Sequence, residues 1–342
     1  MKKIGLLIVL AIVGCIGAIG WAFFADATSV SDKHQYVMIQ EDETSIDKAI
    51  NKLASTNLIK SRIPFWVAAK ILGSDKKVVA GKYEIKKGQT ANNILKMMIA
   101  GRFAEVKLII NKLRIREDFA KLVSKTFPID SAEVMNYINN NDSLSKFGVD
   151  SNNFNALIIP NTYAFYWNAS LPKILQKLSD EKDSFWQKED RLNKAKAIGF
   201  TPEQIITLAS IVEEESNYND DRPNVASVYI NRLNKGMPLQ ADPTIKYALK
   251  DFTLKRIYEK YLFTPSPFNT YRNKGLPPGP ICTPSIKCID IVLTAPKTDY
   301  IYFVANANFD GRHHYSNNYA EHMQYAKHYQ LALDEYLKKK QN

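Results

Sequence analysis

Apolar positions between 201 and 234 recur with a period of about 3.6 residues, and the rest of the chain is organised around this stretch. Ile205, Leu208, Ala209 and Val212 define one helical face. Thr201 before Pro202, with Glu203 in the first turn, is a helix start. At about 100° per residue, Glu214 points away from the apolar face. Glu213 and Glu215 sit on its two flanks, roughly 80° either side of its centre. Val225, Val228, Tyr229 and Arg232 mark a second helix over 221–234. Gly236 and the sharp loop Leu239-Gln240-Ala241-Asp242-Pro243-Thr244 follow.

The remaining patterning predicts a mixed chain. Residues 36–39 read as a strand, followed by a helix from near Ser45 and a second helical run over 64–72. Residues 78–85 read as a strand, 86–90 as a turn, and Thr90 caps a helix carrying Ile94, Leu95, Met98 and Ile99. Alternation over 104–110 predicts a strand, with helices at 115–127 and, N-capped by Asp130, at 130–139. Residues 140–155 are polar and loop-like. The apolar run 157–163 ends in turn chemistry, and 172–192 is amphipathic and helical. Residues 246–261 read as helical with loops, and 285–295 as a helix. A strand at 300–304 pairs with 314–316 across the turn 306–312, and 320–339 forms a last helix. No internal repeat or low-complexity segment interrupts this order.

The amino terminus follows a different pattern. Lys2 and Lys3 precede an uncharged run over 4–24, long enough at about 1.5 Å per residue to span a bilayer core. The basic start and Asp26 after the run predict an anchor. Residues 1–3 would lie in the cytoplasm, with the rest of the chain outside the cytoplasmic (inner) membrane. Two other readings stand beside it: Ile12-Val13-Gly14-Cys15 as a lipoprotein cleavage box, and Ala25-Asp26-Ala27 as a signal peptidase site. All three imply export.

Composition narrows the function. The 342 residues are 45% apolar and 24% charged, as in ordinary globular proteins, and carry a net charge of +11. A basic surface suits nucleic acid, anionic lipid or an anionic polymer such as cell wall. The lysines are spread along the chain with no dense basic block, which argues against nucleic acid. Of the three cysteines, Cys15 lies in the amino-terminal run, and Cys282 and Cys288 read equally as a short disulfide or as two thiols. His313 and His314 are adjacent, and His322 and His328 do not share a helix face, so no metal is implied.

The acidic end of the 201–215 helix carries the candidate chemistry. A carboxyl at the edge of an apolar stripe is half buried, which raises its pKa toward what a general acid needs near neutral pH. The alternative is a solvated acidic helix end. Residues 265–284, dense in Pro and Gly, fix a loop path beside this helix, either as one side of a substrate groove or as a rigid connector.

Several motifs in fixed order resemble the endolytic murein transglycosylases, the YceG-like family. They are L-A-S-I-V-E-x-E at 208–215, V-A-S-V-Y-I-N-R-L at 225–233 and G-M-x-L-Q-x-D-P-T at 236–244. Further on come F-N-T-Y at 268–271, G-L-P-P-G-P-I at 275–281 and A-x-K-T-D-Y-I-Y-F-V at 295–304. The resemblance implies an α+β fold: an N-terminal transmembrane helix, a small LysM-like α/β unit over 29–103, and a mostly helical catalytic domain with short antiparallel sheets over 104–342. It implies cleavage of the β-1,4 bond between N-acetylmuramic acid and N-acetylglucosamine in peptidoglycan strands, leaving 1,6-anhydro ends and using no cofactor. Strands near their synthases are the implied place of action. Glu213 is then the catalytic acid. Glu215, Gln240, Asp242, Thr244, Asn269, Tyr271, Asn318 and His322 are the substrate-binding candidates, with Pro160, Thr162 and Tyr163 in second rank. Ala241, Asn318 and Met323 depart from the usual residues at their positions. A non-catalytic wall-binding scaffold is the alternative.

Overall fold

The structure, a computed structural model, describes residues 13, 14, 17, 20 and 24–341. These divide into two compact units. The first runs through Lys107 and takes in Thr126–Pro128 and Ala164–Ala169; the second comprises Leu108–Lys125, Ile129–Tyr163 and the chain from Ser170 onward.

In the first unit β1 (His34–Ile39) pairs antiparallel with β2 (Gly81–Lys86), Val37 lying opposite Tyr83. Between them come α1 (Ile46–Ser55) and α2 (Ile63–Leu72), and α3 (Ala91–Ile99) follows. Ser45 and Thr90 begin α1 and α3 as the sequence requires, their hydroxyls accepting from the amides of Lys48 and Asn93. Strand alternation turns Val37, Ile39, Tyr83 and Ile85 inward onto Ile50, Leu53, Phe65, Ile94 and Met98, which form a core belonging to this unit. β3 (Glu105–Ile110) and β4 (Asn161–Tyr166) form a second two-stranded sheet.

The second unit is mostly helical. α4 (Arg116–Thr126), α5 (Ser131–Asn139) and α6 (Asn141–Ser145) precede β4 in the chain, and α7 (Leu171–Gln187) and α8 (Arg191–Ala197) follow it. The polar stretch read as loop holds α6 because Asn140 caps it, its side chain accepting from the Ser143 amide. Next come α9 (Pro202–Glu215), α10 (Arg222–Asn234), α11 (Asp242–Leu249), α12 (Glu259–Leu262) and α13 (Ile286–Leu293). β5 (Tyr302–Ala305) and β6 (His313–Ser316) form an antiparallel hairpin with Phe303 opposite Tyr315, and α14 (Tyr319–Gln341) closes the chain.

α9 is the centre of this unit. Thr201 and Gln204 form a reciprocal capping box at its start, and all residues from 205 to 213 are buried. The sequence predicts a single apolar face, whereas packing against α10, α11 and α13 covers the helix almost all round. Its small polar residues are accommodated because the Thr207 and Ser210 hydroxyls donate to the carbonyls of Glu203 and Thr207. Each fully buried Ile or Leu on it stabilises the unit by about 1.5–3 kcal/mol.

The expectation for the amino terminus is corrected. Most of the run 4–24, with Lys2, Lys3 and Cys15, lies outside the described residues. Among the described residues no helix is long and apolar enough to cross a membrane. A span needs about 20 consecutive apolar residues, and even the longest helix, the 23-residue α14, carries Glu321, Lys327, Asp334 and Glu335. The fold supported is a mixture of helices and short sheets, without the expected transmembrane element and without support for single-pass placement in the inner membrane.

Candidate active site

α9 ends in three consecutive glutamates, and the helical turn sends each to a different environment. Glu214 meets Lys112 at 2.9 Å and Arg114 at 3.1 Å. Burial works against its charge, but the two cations outweigh it and hold the carboxyl below the usual range.

Glu213 is only 8% exposed. Its Oε2 accepts from the Ser285 amide at 2.9 Å and the Ser285 hydroxyl at 2.8 Å. Its Oε1 lies 3.8 Å from Arg222 Nη2. Ser285 is the N-cap of α13, so the carboxyl sits where unpaired amides and the helix dipole favour an anion. Arg222 in turn donates from Nε to the Ser216 carbonyl at 2.8 Å. Glu213 thereby ties α13 to the backbone immediately after Glu215.

Glu215 turns instead to a cavity of about 290 Å³. Asp242, Tyr271 and His322 line the cavity with it, together with Arg232, Leu239, Gln240 and Phe303. The Tyr229 hydroxyl donates to Glu215 Oε2 at 3.2 Å. Burial first, and the negative charge of Asp242 second, push the Glu215 carboxyl up to about 7 against the opposing pull of His313, the Tyr229 bond and Lys246. Asp242 is fixed in turn: its Oδ1 accepts from the Tyr271 hydroxyl at 2.6 Å.

The loops carrying these groups are fastened to each other. Gln240 adopts a left-handed backbone (φ 53°), and its amide donates to the Thr270 carbonyl at 3.1 Å. The Ala241 amide donates to the Thr270 hydroxyl at 3.0 Å, and the Thr244 and Thr270 hydroxyls lie 2.9 Å apart. Asn269 is fully buried, donating to the carbonyls of Leu262 and Thr264 and accepting from the Tyr271 amide.

The structure therefore gathers Glu215, Gln240, Asp242, Tyr271 and His322 in one pocket and leaves the other candidates outside its lining. Thr244 and Asn269 are buried and hold the loops. Asn318 caps α14, its Oδ1 accepting from the Glu321 amide at 2.9 Å. Tyr163 is buried with its hydroxyl donating to the Ile159 carbonyl, and Thr162 is exposed. Cys282 and Cys288 are free, buried thiols. Arg232, Tyr229 and Phe303 escaped the sequence reading as site residues. The available signal was Arg232 itself, a cation at helical spacing on an apolar face.

A carboxyl that holds a proton near neutrality, in a pocket lined mostly by polar side chains, can protonate a leaving oxygen and afterwards receive a proton. Comparison with known proteins places the whole chain. The model of the YceG-like family matches residues 37–328. The endolytic murein transglycosylase of Bacillus subtilis strain 168 is 29% identical over 286 residues, which cover 78% of this chain and 77% of that protein. The protein of the same name from Streptococcus pneumoniae D39 is 31% identical over 169 residues, 48% of this chain but only 30% of the longer relative. A crystal structure of a yceG-like protein from Listeria monocytogenes superposes with a TM-score of 0.55 at 28% identity, covering 86% of this chain and 99% of that one. With most of its length matched by the family's pattern and its fold shared with a solved relative, this chain belongs to the YceG-like family.

Proposed function

We propose that Glu215 is the acid–base of this pocket and that Glu213, the acid implied by the family resemblance, is its brace. The activity is that of an endolytic murein transglycosylase, a lyase acting on peptidoglycan. One contrast carries the assignment of roles. Glu213 is bonded to Ser285 and faces Arg222, whereas Glu215 lines the cavity with its carboxyl pushed up to about 7.

In the proposed reaction the protonated Glu215 gives its proton to the glycosidic oxygen between N-acetylmuramic acid and N-acetylglucosamine. The bond to the muramyl anomeric carbon breaks, and the electron pair leaves with that oxygen. The muramyl C6 hydroxyl closes on the anomeric carbon, and its proton passes to the Glu215 carboxylate, which restores the acid and leaves a 1,6-anhydro end. The nucleophile belongs to the substrate, so proximity replaces the activated water of a hydrolase. Asp242 keeps Glu215 protonated and places a negative charge near the developing oxocarbenium centre. We further propose the first unit as a LysM-like, glycan-holding module, which its β-α-α-β-α order supports.

Digestion of purified peptidoglycan by the full chain, with products read by mass, tests the assignment. Wild type and Glu213→Gln are expected to release anhydro-muramyl ends, and Glu215→Gln to lose about 10²–10⁴-fold in rate. An inactive but folded Glu213→Gln beside an active Glu215→Gln would reverse the two roles. Reducing ends would mean a hydrolase, with Asp242 as the second carboxylate. Binding without cutting by wild type would mean a scaffold.

A further inference from the structure

Arg232 is a buried cation that the reaction above does not use. It is 8% exposed and lines the Glu215 pocket. Its Nε donates to the Ile301 carbonyl at 2.7 Å, and its Nη1 to the carbonyls of Leu239 at 2.8 Å and Pro238 at 3.3 Å. Nη1 also reaches Gln240 Oε1 at 3.4 Å. The guanidinium lies over the Tyr302 ring, 5.5 Å from its centroid, and His322 stacks on the same ring at 5.1 Å. Among the described residues Arg232 makes no ion pair, and its Nη2 makes no hydrogen bond. Burial pulls its pKa down, against the opposing influence of Tyr229, Tyr302, Tyr271 and the Glu215 carboxyl.

A rigidly held guanidinium with spare donors facing a ligand pocket is built to meet an oxygen acceptor. Asp242 already supplies negative charge to the pocket, which disfavours a carboxylate on the ligand. A neutral carbonyl oxygen escapes that repulsion. The sugars of the strand each carry one in the 2-acetamido group, on the carbon next to the anomeric centre. We propose that Arg232 donates from Nη2 to the acetamido oxygen of the sugar whose glycosidic bond Glu215 protonates, making the pocket selective for N-acetylated strands. Arg232 is thus a specificity residue, and this role rests on the reading of the pocket given above.

The test pairs one substitution with one change in the substrate. Wild type and Arg232→Lys are compared in kcat/KM on N-acetylated strands and on strands de-N-acetylated enzymatically. Wild type is expected to prefer acetylated strands by about tenfold or more, and Arg232→Lys to lose most of that preference. A loss by the same factor on both substrates, or equal cutting of both by wild type, overturns the proposal. Should Arg232→Lys fail to fold, phenylglyoxal modification of wild type, mapped by mass, replaces it. Chitotetraose, but not its de-N-acetylated form, is expected to protect Arg232; equal protection or none overturns the proposal. If wild type cuts neither strand, the reading of the reaction fails, while chitotetraose protection still decides the role of Arg232.

Discussion

Glu215 and its neighbours set a pH dependence whose sign follows from the direction of the shift. The carboxyl is raised from 4.5 to about 7, and the proposed reaction needs it protonated. The value of kcat/KM is therefore expected to fall as pH rises through about 7. Asp242→Asn removes the charge that helps to hold the proton on Glu215. The descending limb should then move to lower pH, and an unmoved limb would show that this charge does not reach Glu215. Stability follows the same titration. Between pH 4.5 and 7 the folded chain keeps a proton on Glu215 that the unfolded chain has lost, so this group makes the fold less stable as pH rises through that window. Glu215→Gln is expected to melt at a higher temperature than wild type above the window and at the same temperature below it.

At the scale of elements, the Pro- and Gly-rich stretch shows how a loop becomes part of a wall. The Ile281 amide donates to the Ser210 hydroxyl in the middle of α9 at 3.0 Å, so the path of the loop is pinned to the helix that carries the glutamates. Gly279 is required by space: a Cβ there would lie 2.5 Å from the Asn152 carbonyl oxygen and 2.6 Å from Asn153 Cα. Both are backbone atoms with little freedom to retreat. Gly279→Ala is expected to cost about 1–3 kcal/mol, read as a lower urea midpoint with an unchanged slope. A neutral result would mean that the Asn152–Asn153 backbone yields.

At the scale of the whole molecule, the two units have separate cores. Leu53, Phe65 and Tyr83 belong to the first; Leu208, Val212, Val225 and Ile289 belong to the second. Leu53 is fully buried, so Leu53→Ala should cost about 2–5 kcal/mol within its own unit. Hydrogen exchange is expected to quicken across β1, β2 and α1 while the amides of α9 keep their protection. Equal acceleration in both units would show that they unfold as one cooperative body.

Much of this architecture was legible along the chain because its signals are local. The caps at Ser45, Thr90, Asp130 and Thr201 occur at the helix starts observed, since a cap depends on bonds within a few residues. The hairpin of β5 and β6 and the α9–α10 pair were likewise written in short-range periodicity. The motif order was enough to point to the family and to a carboxyl at the end of α9. The resemblance named Glu213 as the acid, but helical periodicity did not tell it from Glu215, since the two flank the apolar stripe symmetrically. Their difference comes from groups distant in sequence: Ser285 and Arg222 around one, Asp242 and Tyr229 around the other. Long-range packing likewise drew Asn269 and Thr244 inside and brought Arg232 to the pocket wall. The sequence by itself determined the elements and the family, because those depend on local bonding and residue order. Only the tertiary structure decided the different surroundings of the two carboxyls, because desolvation and charge are set by neighbours that no local pattern reveals.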